Sequence, residues 1–194
     1  MTAAFPKTAL ITGASRGIGR ATALALASAG ARVLAHYGNS LAEAKSLVDE
    51  IRANGGKAET LQADLGTPDG PLELARQVPS RRRGSPGYPR FQRRRLQGCG
   101  HRRSYHRRFR QAVRDNVRSS FFLVQQLLPL LGEGSSIILV SSLAAKFVPG
   151  SPGQAGAPSI PAYAATKGAV DTLVKHWASA WDHAGFASMP SRPA

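Results

Sequence analysis

A glycine-rich turn lies close to the start of the chain, where residues 12–19 read TGASRGIG. The preceding residues 8–11 are short and mostly apolar like a strand, and residues 21–29 are an alanine-rich run of helix formers. A strand, a tight glycine turn and a helix N-terminus gather backbone N–H groups and the positive end of the helix dipole around one point. The stretch therefore predicts a cradle for a phosphate group, with a purely structural turn as the alternative.

Strand-like and helix-like patterns alternate along most of the chain. Short apolar runs indicate strands, and apolar residues spaced three and four apart indicate helices. Ser40 is the expected N-cap of the second helix, and Gly30 is expected to end the first. The predicted strands are residues 8–11, 32–36, 58–63 and 135–142, and the predicted helices are residues 21–29, 41–53, 68–77, 117–131 and 161–184. The alternation predicts an α/β fold, a doubly wound parallel sheet in a single domain.

Tyr163 and Lys167 form a candidate acid/base pair. They stand four residues apart, which places both on one face of the predicted helix. A free tyrosine keeps its proton up to about pH 10, and a neighbouring ammonium group favours the phenolate. On spacing alone, a tyrosine and a lysine on a solvated helix face are the alternative, but the small residues around them in YAATKGA allow close helix approach.

Ser142 ends the apolar run of the fourth predicted strand. A hydroxyl at the carboxyl end of a parallel strand points into the crevice where such sheets bind ligands. It is placed there to donate a hydrogen bond to a substrate carbonyl oxygen. Ser141 is the competing candidate, and a serine that merely ends the strand is the structural alternative.

Three motifs together resemble the short-chain dehydrogenase/reductase family: the TGxxxGxG spacing of residues 12–19, the serine that precedes LAA at 143–145, and YAATKGA at 163–169. The resemblance covers roughly residues 7–77 and 115–184. It implies a Rossmann-type fold that is incomplete here, with the fourth strand and the last strands lost or altered. It also implies an oxidoreductase that interconverts a carbonyl and an alcohol by hydride transfer to or from a nicotinamide cofactor.

The resemblance assigns the catalytic roles residue by residue. Tyr163 gives or takes the proton, Lys167 promotes the phenolate and holds the nicotinamide ribose, and Ser142 positions the carbonyl oxygen. Asn116 matches the family asparagine that holds a water between the lysine and solvent, although an exposed helix asparagine fits nearly as well. Ser142 and Tyr163 are 21 residues apart, longer than the usual loop, and residues 149–158 look like a local insertion.

The resemblance also implies the cofactor-binding residues. Asp64 matches the position at the adenine edge, with an ordinary N-cap or turn aspartate as the alternative. The second strand is not followed by an acid for a ribose 2′-hydroxyl, because the next acidic residue is Glu43 in the predicted helix. Arg16 is available for a 2′-phosphate, or is a solvated loop residue. We therefore expect NADP(H) over NAD(H), and no metal. The expected cofactor-binding residues are Thr12, Gly13, Ser15, Arg16, Gly17, Ile18, Gly19, His36, Asp64, Leu65, Tyr163 and Lys167.

The net charge of +15 is concentrated in one segment. Between Pro79 and Arg114 there are thirteen arginines, no lysine and no acidic residue, so the rest of the chain carries only +2. A basic surface for nucleic acid usually mixes lysine with arginine on one face of an amphipathic element, and this segment has little apolar periodicity. We therefore rank a basic nucleic-acid-binding protein, built on a remnant of the fold, below the enzyme and expect no specific nucleic-acid partner.

The arginine-rich segment and the tail resemble products of a shifted reading frame. With permitted codons, residues 86–114 read one base later give LDILVSNAGVSRAAAIEEVTIEDFDKLFA, which has a strand, an N-A-G turn and a helix where the family has them. The tail, read from the third base of the Phe186 codon, gives RVNAVAPG, similar to the family's next strand and turn. We infer that the frame shifts near Val78, returns near Asp115 and shifts again near Gly185, which makes residues 79–114 and 185–194 anomalous.

An inactive, frameshifted fragment of such an enzyme is the remaining alternative. The fourth strand is central in the family's sheet, so its loss exposes strand edges and removes core, and we expect the 194-residue chain to be unstable and inactive. We further expect a small-molecule carbonyl or alcohol substrate, and a homodimer or homotetramer in intact relatives. A single cysteine, Cys99, and the lack of a long apolar stretch or a signal pattern predict a cytoplasmic location without a membrane partner.

Overall fold

The computed structural model describes residues 7–79, 103–132, 134–146 and 160–183. The chain divides into an N-terminal unit, Met1–Pro79, and a C-terminal unit, Ser80–Ala194, and each is described on its own. Most of the anomalous segment at 79–114 and all of the anomalous tail at 185–194 lie outside the described residues. The single domain expected from the sequence stays a prediction.

The N-terminal unit is a three-stranded parallel sheet with a helix after each strand. Its elements are β1 (Thr8–Ile11), α1 (Gly17–Ser28), β2 (Arg32–Tyr37), α2 (Leu41–Ala53), β3 (Lys57–Gln62) and α3 (Gly70–Gln77). The strand order is β1-β2-β3, with Thr8 opposite Arg32 and Arg32 opposite Lys57. Parallel neighbours need such helical crossovers, so the unit confirms the predicted α/β fold with a parallel sheet.

The core of this unit lies between the sheet and its helices. Val33, Leu34 and Ala35 of β2 are fully buried, as expected for a strand covered on both faces. In α2, the buried residues Ala44, Leu47, Val48 and Ile51 recur at helical spacing.

Two local expectations for the helices of the N-terminal unit differ in outcome. Gly30 ends α1 as predicted, with φ at 85° and its N–H donating to the carbonyl of Ala27. Ser40 occupies the N-cap position of α2, but its hydroxyl makes no capping hydrogen bond within the described part of the chain, which corrects the expected cap. In addition, α1 begins at Gly17 rather than at residue 21, because glycines of low helix propensity hide its first turn from the pattern.

The C-terminal unit is helical throughout its described elements. They are α4 (Arg103–Ala112), a π-helical stretch (Val113–Arg118), α5 (Ser119–Leu127), two 3₁₀ turns (Leu128–Leu130 and Leu143–Ala145) and α6 (Ile160–His183). The helix predicted over 117–131 thus belongs to a longer helical run that begins inside the arginine-rich segment, since arginine and glutamine are good helix formers. Phe121 of α5 packs on Trp177 of α6, with ring centres 5.8 Å apart.

The strand predicted over residues 135–142 is wrong. These residues form no strand, and the side chains of Ile138 and Val140 are exposed, Ile138 by 84%. A strand of this composition is stable only when neighbouring strands bond its backbone and helices cover its faces. Among the described residues, no strand pairs with residues 135–142. This apolar run has the composition of a buried strand, but Ile138 and Val140 in it are exposed.

Within the described ranges, no helix is both long enough and apolar enough to cross a membrane.

Candidate active site

The glycine-rich loop between β1 and α1 has the conformation that a phosphate cradle needs. Gly13 and Gly17 adopt φ values of 63° and 56°, and a Cβ built at either would meet no described atom within 4 Å. The space on the side of each glycine where a Cβ would stand is therefore open above the loop. Gly19 has a different role, because a Cβ there would overlap the carbonyl group of Gly13. The three glycines thus fit a bound pyrophosphate at the N-terminus of α1.

His36, at the carboxyl end of β2, fixes this loop. Its carbonyl oxygen accepts from the N–H of Ala14 at 2.9 Å, and its Nδ1 accepts from the N–H of Gly13 at 3.2 Å. Its Nε2 lies 3.0 Å from the carbonyl oxygen of Ala63. The residue is only 5% exposed, and both ring nitrogens are bonded within the protein. The ring therefore contacts the loop, and the predicted role of His36 at the cofactor stays a prediction.

The remaining predicted residues of the glycine-rich loop differ in their exposure to solvent. Thr12, Arg16 and Ile18 are exposed, whereas Ser15 is buried. Beside Ser15, an open cleft of about 500 Å³ between α1 and α2 is lined by Arg20, Glu43 and Ser46. Arg20 bridges the two helices, since its guanidinium pairs with the carboxylate of Glu50 and donates to the carbonyl of Glu43.

Asp64 and Leu65 follow β3 at the same edge of the sheet as the glycine-rich loop. The carboxylate of Asp64 accepts from the N–H of Gly66 at 2.9 Å, and the hydroxyl of Thr67 donates to the carbonyl of Asp64 at 2.8 Å. Asp64 is exposed and Leu65 is half-buried. The turn interpretation of Asp64 is therefore correct as structure, and it holds the residue at the end of the strand, where ligands of such sheets bind.

In the C-terminal unit, Tyr163 and Lys167 lie on one face of α6. The ammonium nitrogen of Lys167 is 5.7 Å from the centre of the Tyr163 ring, within the range of a cation–π contact. The same ammonium donates to the carbonyl oxygen of Val140 at 2.8 Å. Tyr163 is 40% exposed, so the residue lies at the surface of the C-terminal unit.

Ser141 and Ser142 lie beside this helix and bond in different ways. The hydroxyl of Ser141 donates to the carbonyl of Lys167 at 3.3 Å. The oxygen of Ser142 accepts from the N–H of Ala144 at 3.3 Å and caps the 3₁₀ turn Leu143–Ala145. Both serines thus lie next to α6, although residues 135–142 do not form the strand that was predicted to carry them.

Asn116 reaches the same helix through a threonine that the sequence interpretation did not single out. Its side-chain amide donates to Oγ1 of Thr166 at 3.0 Å, and that hydroxyl donates to the carbonyl of Tyr163 at 2.8 Å. Thr166 is 2% exposed. The only signal for it in the sequence was a polar residue among the small residues between Tyr163 and Lys167. Asn116 itself lies in the π-helical stretch, a feature frequent at functional sites.

Two family models match the chain, one over each unit. The model described as short chain dehydrogenase matches residues 7–83. The model described as enoyl-(acyl carrier protein) reductase matches residues 95–186.

Curated proteins and solved structures agree with these matches. Versicolorin reductase of Emericella nidulans is 37% identical over 179 residues, covering 87% of this chain and 61% of its own length. The chain therefore spans about three fifths of the length of the curated relatives it matches. An angucycline C-6 ketoreductase crystallised with bound NADP superposes with a TM-score of 0.70 at 27% identity, over 91% of this chain and 68% of its own. A short chain dehydrogenase from Burkholderia cenocepacia in complex with NADP gives 0.68 at 26% identity, over 91% and 68%.

Proposed function

The chain belongs to the short-chain dehydrogenase/reductase family, and on that premise we propose that it is an NADP(H)-dependent carbonyl reductase or alcohol dehydrogenase for a small-molecule substrate. The observation that carries the proposal is the arrangement on α6, where Lys167 lies 5.7 Å from the Tyr163 ring and both serines lie alongside. Since the chain spans about three fifths of its curated relatives, the activity of the whole protein is part of the proposal.

The glycine-rich loop supports the choice of cofactor. The open side of Gly13 and Gly17 accommodates a pyrophosphate, and the exposed side chain of Arg16 supplies a positive charge for a 2′-phosphate. The bound NADP of similar proteins supports the same choice. When bound, this cofactor supplies or accepts the hydride.

Proton transfer is assigned to Tyr163. In the reducing direction its O–H donates to the carbonyl oxygen of the substrate as that oxygen becomes an alcohol. The ammonium of Lys167 compensates the negative charge that remains on the phenol oxygen. The amide of Asn116 and the hydroxyl of Thr166 hold the first turn of α6, on which Tyr163 lies.

Ser142 is favoured over Ser141 as the group that positions the carbonyl oxygen. A hydroxyl has one proton to donate and two lone pairs to accept with. Ser141 uses its proton on the carbonyl of Lys167, whereas the described contact of Ser142 uses a lone pair. The O–H of Ser142 is therefore the one placed to bond a substrate oxygen.

The test is oxidation of NADPH with a panel of ketones that includes an angucycline, since a similar protein acts on such a compound by name. It is run on the 194-residue chain and on a chain expressed from the corrected reading frame, and we expect turnover in the corrected chain, which is therefore the background for the variants. Tyr163→Phe should abolish turnover while NADP⁺ binding persists, because the phenylalanine keeps the ring and loses only the proton. Ser141→Ala serves as the matched control for Ser142→Ala, and only the latter should lower kcat strongly. Full turnover in the Tyr163→Phe variant would refute the assignment.

Binding of polyanions is the second candidate function. On α4, the exposed side chains of Arg107, Arg108 and Arg110 form a basic surface. We expect non-specific affinity for duplex DNA that falls steeply as salt rises, because such binding releases counterions. Fluorescence anisotropy with two unrelated duplexes tests this: sequence preference that persists at high salt would support a true nucleic-acid function instead.

The location and the assembly are also proposals. A cytoplasmic location is supported by the single cysteine of the chain. A homodimer or homotetramer is supported by α6, a helix of 24 residues on which only Thr166 and Val170 are buried among its described side chains. Analytical ultracentrifugation of the chain, with and without NADP⁺, measures the assembly.

A further inference from the structure

His36 connects three segments of the N-terminal unit. As part of β2 it lies between β1 and β3, and its ring bridges the loop that follows β1 and the residue that follows β3. Two successive N–H groups of the loop, those of Gly13 and Ala14, end on its Nδ1 and its carbonyl oxygen. One residue therefore orients the first turn of the glycine-rich loop through both its backbone and its side chain.

The partners of the ring determine its protonation state. Nδ1 accepts from an N–H and so carries no proton, and Nε2 faces a carbonyl oxygen and so carries one. Burial lowers the pKa of His36 below its ordinary 6.5, and the hydrogen bond to the Ala63 carbonyl opposes this to a lesser degree. The ring is therefore neutral at neutral pH, with its proton on Nε2.

We propose that His36 is a positioning residue for the cofactor loop, holding the N–H of Gly13 so that the loop keeps the shape that receives a pyrophosphate. The inference rests on the proposed function, because it assigns to the loop the binding of NADP(H). It differs from the expectation that His36 touches the cofactor itself, since both ring nitrogens are bonded within the protein.

Protonation of the imidazole ring removes the hydrogen bond from the N–H of Gly13 to Nδ1 of His36. In the imidazolium form both nitrogens are donors, so Nδ1 faces the N–H of Gly13 with a proton of its own. The charged residues on the two segments that contact the ring are Arg16 in the loop and Asp64 next to Ala63, and the carboxylate of Asp64 accepts from Gly66. Because the folded-state pKa lies below 6.5, the stabilisation is complete above that value and is lost as the pH falls through the folded-state pKa.

Two substitutions of His36 separate its contact with Gly13 from its contact with Ala63. Asparagine carries its amide at the distance from Cβ at which histidine carries Nδ1, so His36→Asn keeps an acceptor for Gly13. Glutamine reaches the position of Nε2, so His36→Gln keeps a donor for Ala63 and loses the acceptor. Neither amide titrates between pH 5 and pH 8.

The experiment measures NADP⁺ dissociation constants of the full chain and both variants by equilibrium dialysis from pH 8 to pH 5. At pH 8, His36→Asn should bind within about threefold of the unsubstituted chain, and His36→Gln about tenfold more weakly, as expected for the loss of one hydrogen bond. As the pH falls through the folded-state pKa of His36, which lies below 6.5, the affinity of the unsubstituted chain should weaken relative to that of His36→Asn. Protonation of the ligand's 2′-phosphate affects all three proteins equally and cancels in this comparison.

Amide hydrogen exchange of Gly13 in ligand-free protein provides a readout that does not need the cofactor. It should be about tenfold faster in His36→Gln than in His36→Asn after correction for intrinsic rates. If none of the proteins binds NADP⁺, the proposed function fails, and the exchange rates alone decide on the positioning role. Equal affinity and equal exchange in the two variants would overturn the inference.

Should His36→Gln not fold, the unsubstituted chain still tests the assignment. Its imidazole ¹⁵N shifts should show a neutral ring protonated on Nε2 at pH 7, with the Gly13 amide exchanging faster once the ring titrates. A ring protonated on Nδ1 would contradict the bridge to Gly13.

Discussion

At the scale of single residues, what a polar side chain can do depends on which of its donor and acceptor atoms are already hydrogen-bonded within the protein. Ser141 and Ser142 are neighbours of the same residue type, yet one donates to the carbonyl of Lys167 and the other accepts from the N–H of Ala144. His36, which the sequence predicts at the cofactor, lies at the carboxyl end of β2, and its buried ring bonds to the glycine-rich loop. Such differences depend on neighbours distant in sequence, which no local pattern contains.

Thr166 provides a residue-level prediction. Thr166→Val keeps the shape and removes the hydroxyl that joins Asn116 to the carbonyl of Tyr163, so the C-terminal unit should lose about 1–3 kcal/mol of stability. Thr166→Ser keeps the hydroxyl and is the matched control. The tryptophans of the chain, Trp177 and Trp181, both lie on α6, so urea unfolding followed by their fluorescence reports this unit. Equal midpoints for the two variants would show that the hydroxyl contributes nothing.

A second prediction concerns the glycines. Gly19→Ala should destabilise the N-terminal unit by about 1–3 kcal/mol, because the new methyl group overlaps the carbonyl of Gly13. Gly168→Ala is the control, since a Cβ there meets no described atom within 4 Å and should stabilise α6 by about 0.5–1 kcal/mol. Far-UV circular dichroism during urea unfolding measures both. Stabilisation by Gly19→Ala would contradict the close approach of α1 to the loop.

At the scale of elements, the patterns predicted most of the helices and strands and failed where pairing matters. Apart from the first turn of α1, the helices and strands of the N-terminal unit lie within two residues of where the periodicity placed them, because each has an apolar side that neighbours along the chain cover. The run over 135–142 has the composition of a buried strand, but a strand is defined by the partner that bonds it. Its expected neighbour falls in the arginine-rich segment of the sequence.

The exposed run supports a prediction about stability and association. Ile138→Lys should change the free energy of unfolding by less than about 0.5 kcal/mol, because 84% of its side chain is exposed. The charge should also reduce self-association, as charged residues do on unpaired strand segments. Leu123→Ala, at a buried position of the same unit, should cost about 2–5 kcal/mol. Urea unfolding and light scattering measure the two effects, and a large loss of stability in Ile138→Lys would show that this side chain is buried in solution.

At the scale of the whole molecule, the reading-frame hypothesis remains a prediction with a direct test. Each unit matches a family model, and residues 84–94 lie between the two matches. The matches also include residues 80–83 and 95–114 of the segment that we infer to be out of frame. In the N-terminal unit, β1 pairs with β2 alone among the described residues, and its other edge is where we expect the strand of the shifted frame to pair.

Re-sequencing of the gene should show inserted or deleted bases near the codons of Val78, Asp115 and Gly185. A chain expressed from the corrected frame should unfold at a higher temperature than the 194-residue chain and bind NADP⁺ more tightly, because a central strand adds core and backbone hydrogen bonds. Reads that encode the arginines in a single frame, together with a stable and active 194-residue chain, would refute the hypothesis.

The sequence by itself determined the family, the glycine-rich loop, the α/β alternation of the first 78 residues and the tyrosine–lysine pair. Each of these depends on spacing within one or two elements, where side-chain periodicity and glycine φ values act locally. The tertiary structure alone decided which contacts Ser141 and Ser142 make, that Thr166 joins Asn116 to α6, that the ring of His36 bonds to the loop, and that 135–142 is not a strand. These depend on atoms brought together from distant parts of the chain, and burial and hydrogen-bond satisfaction are properties of that assembly rather than of any segment.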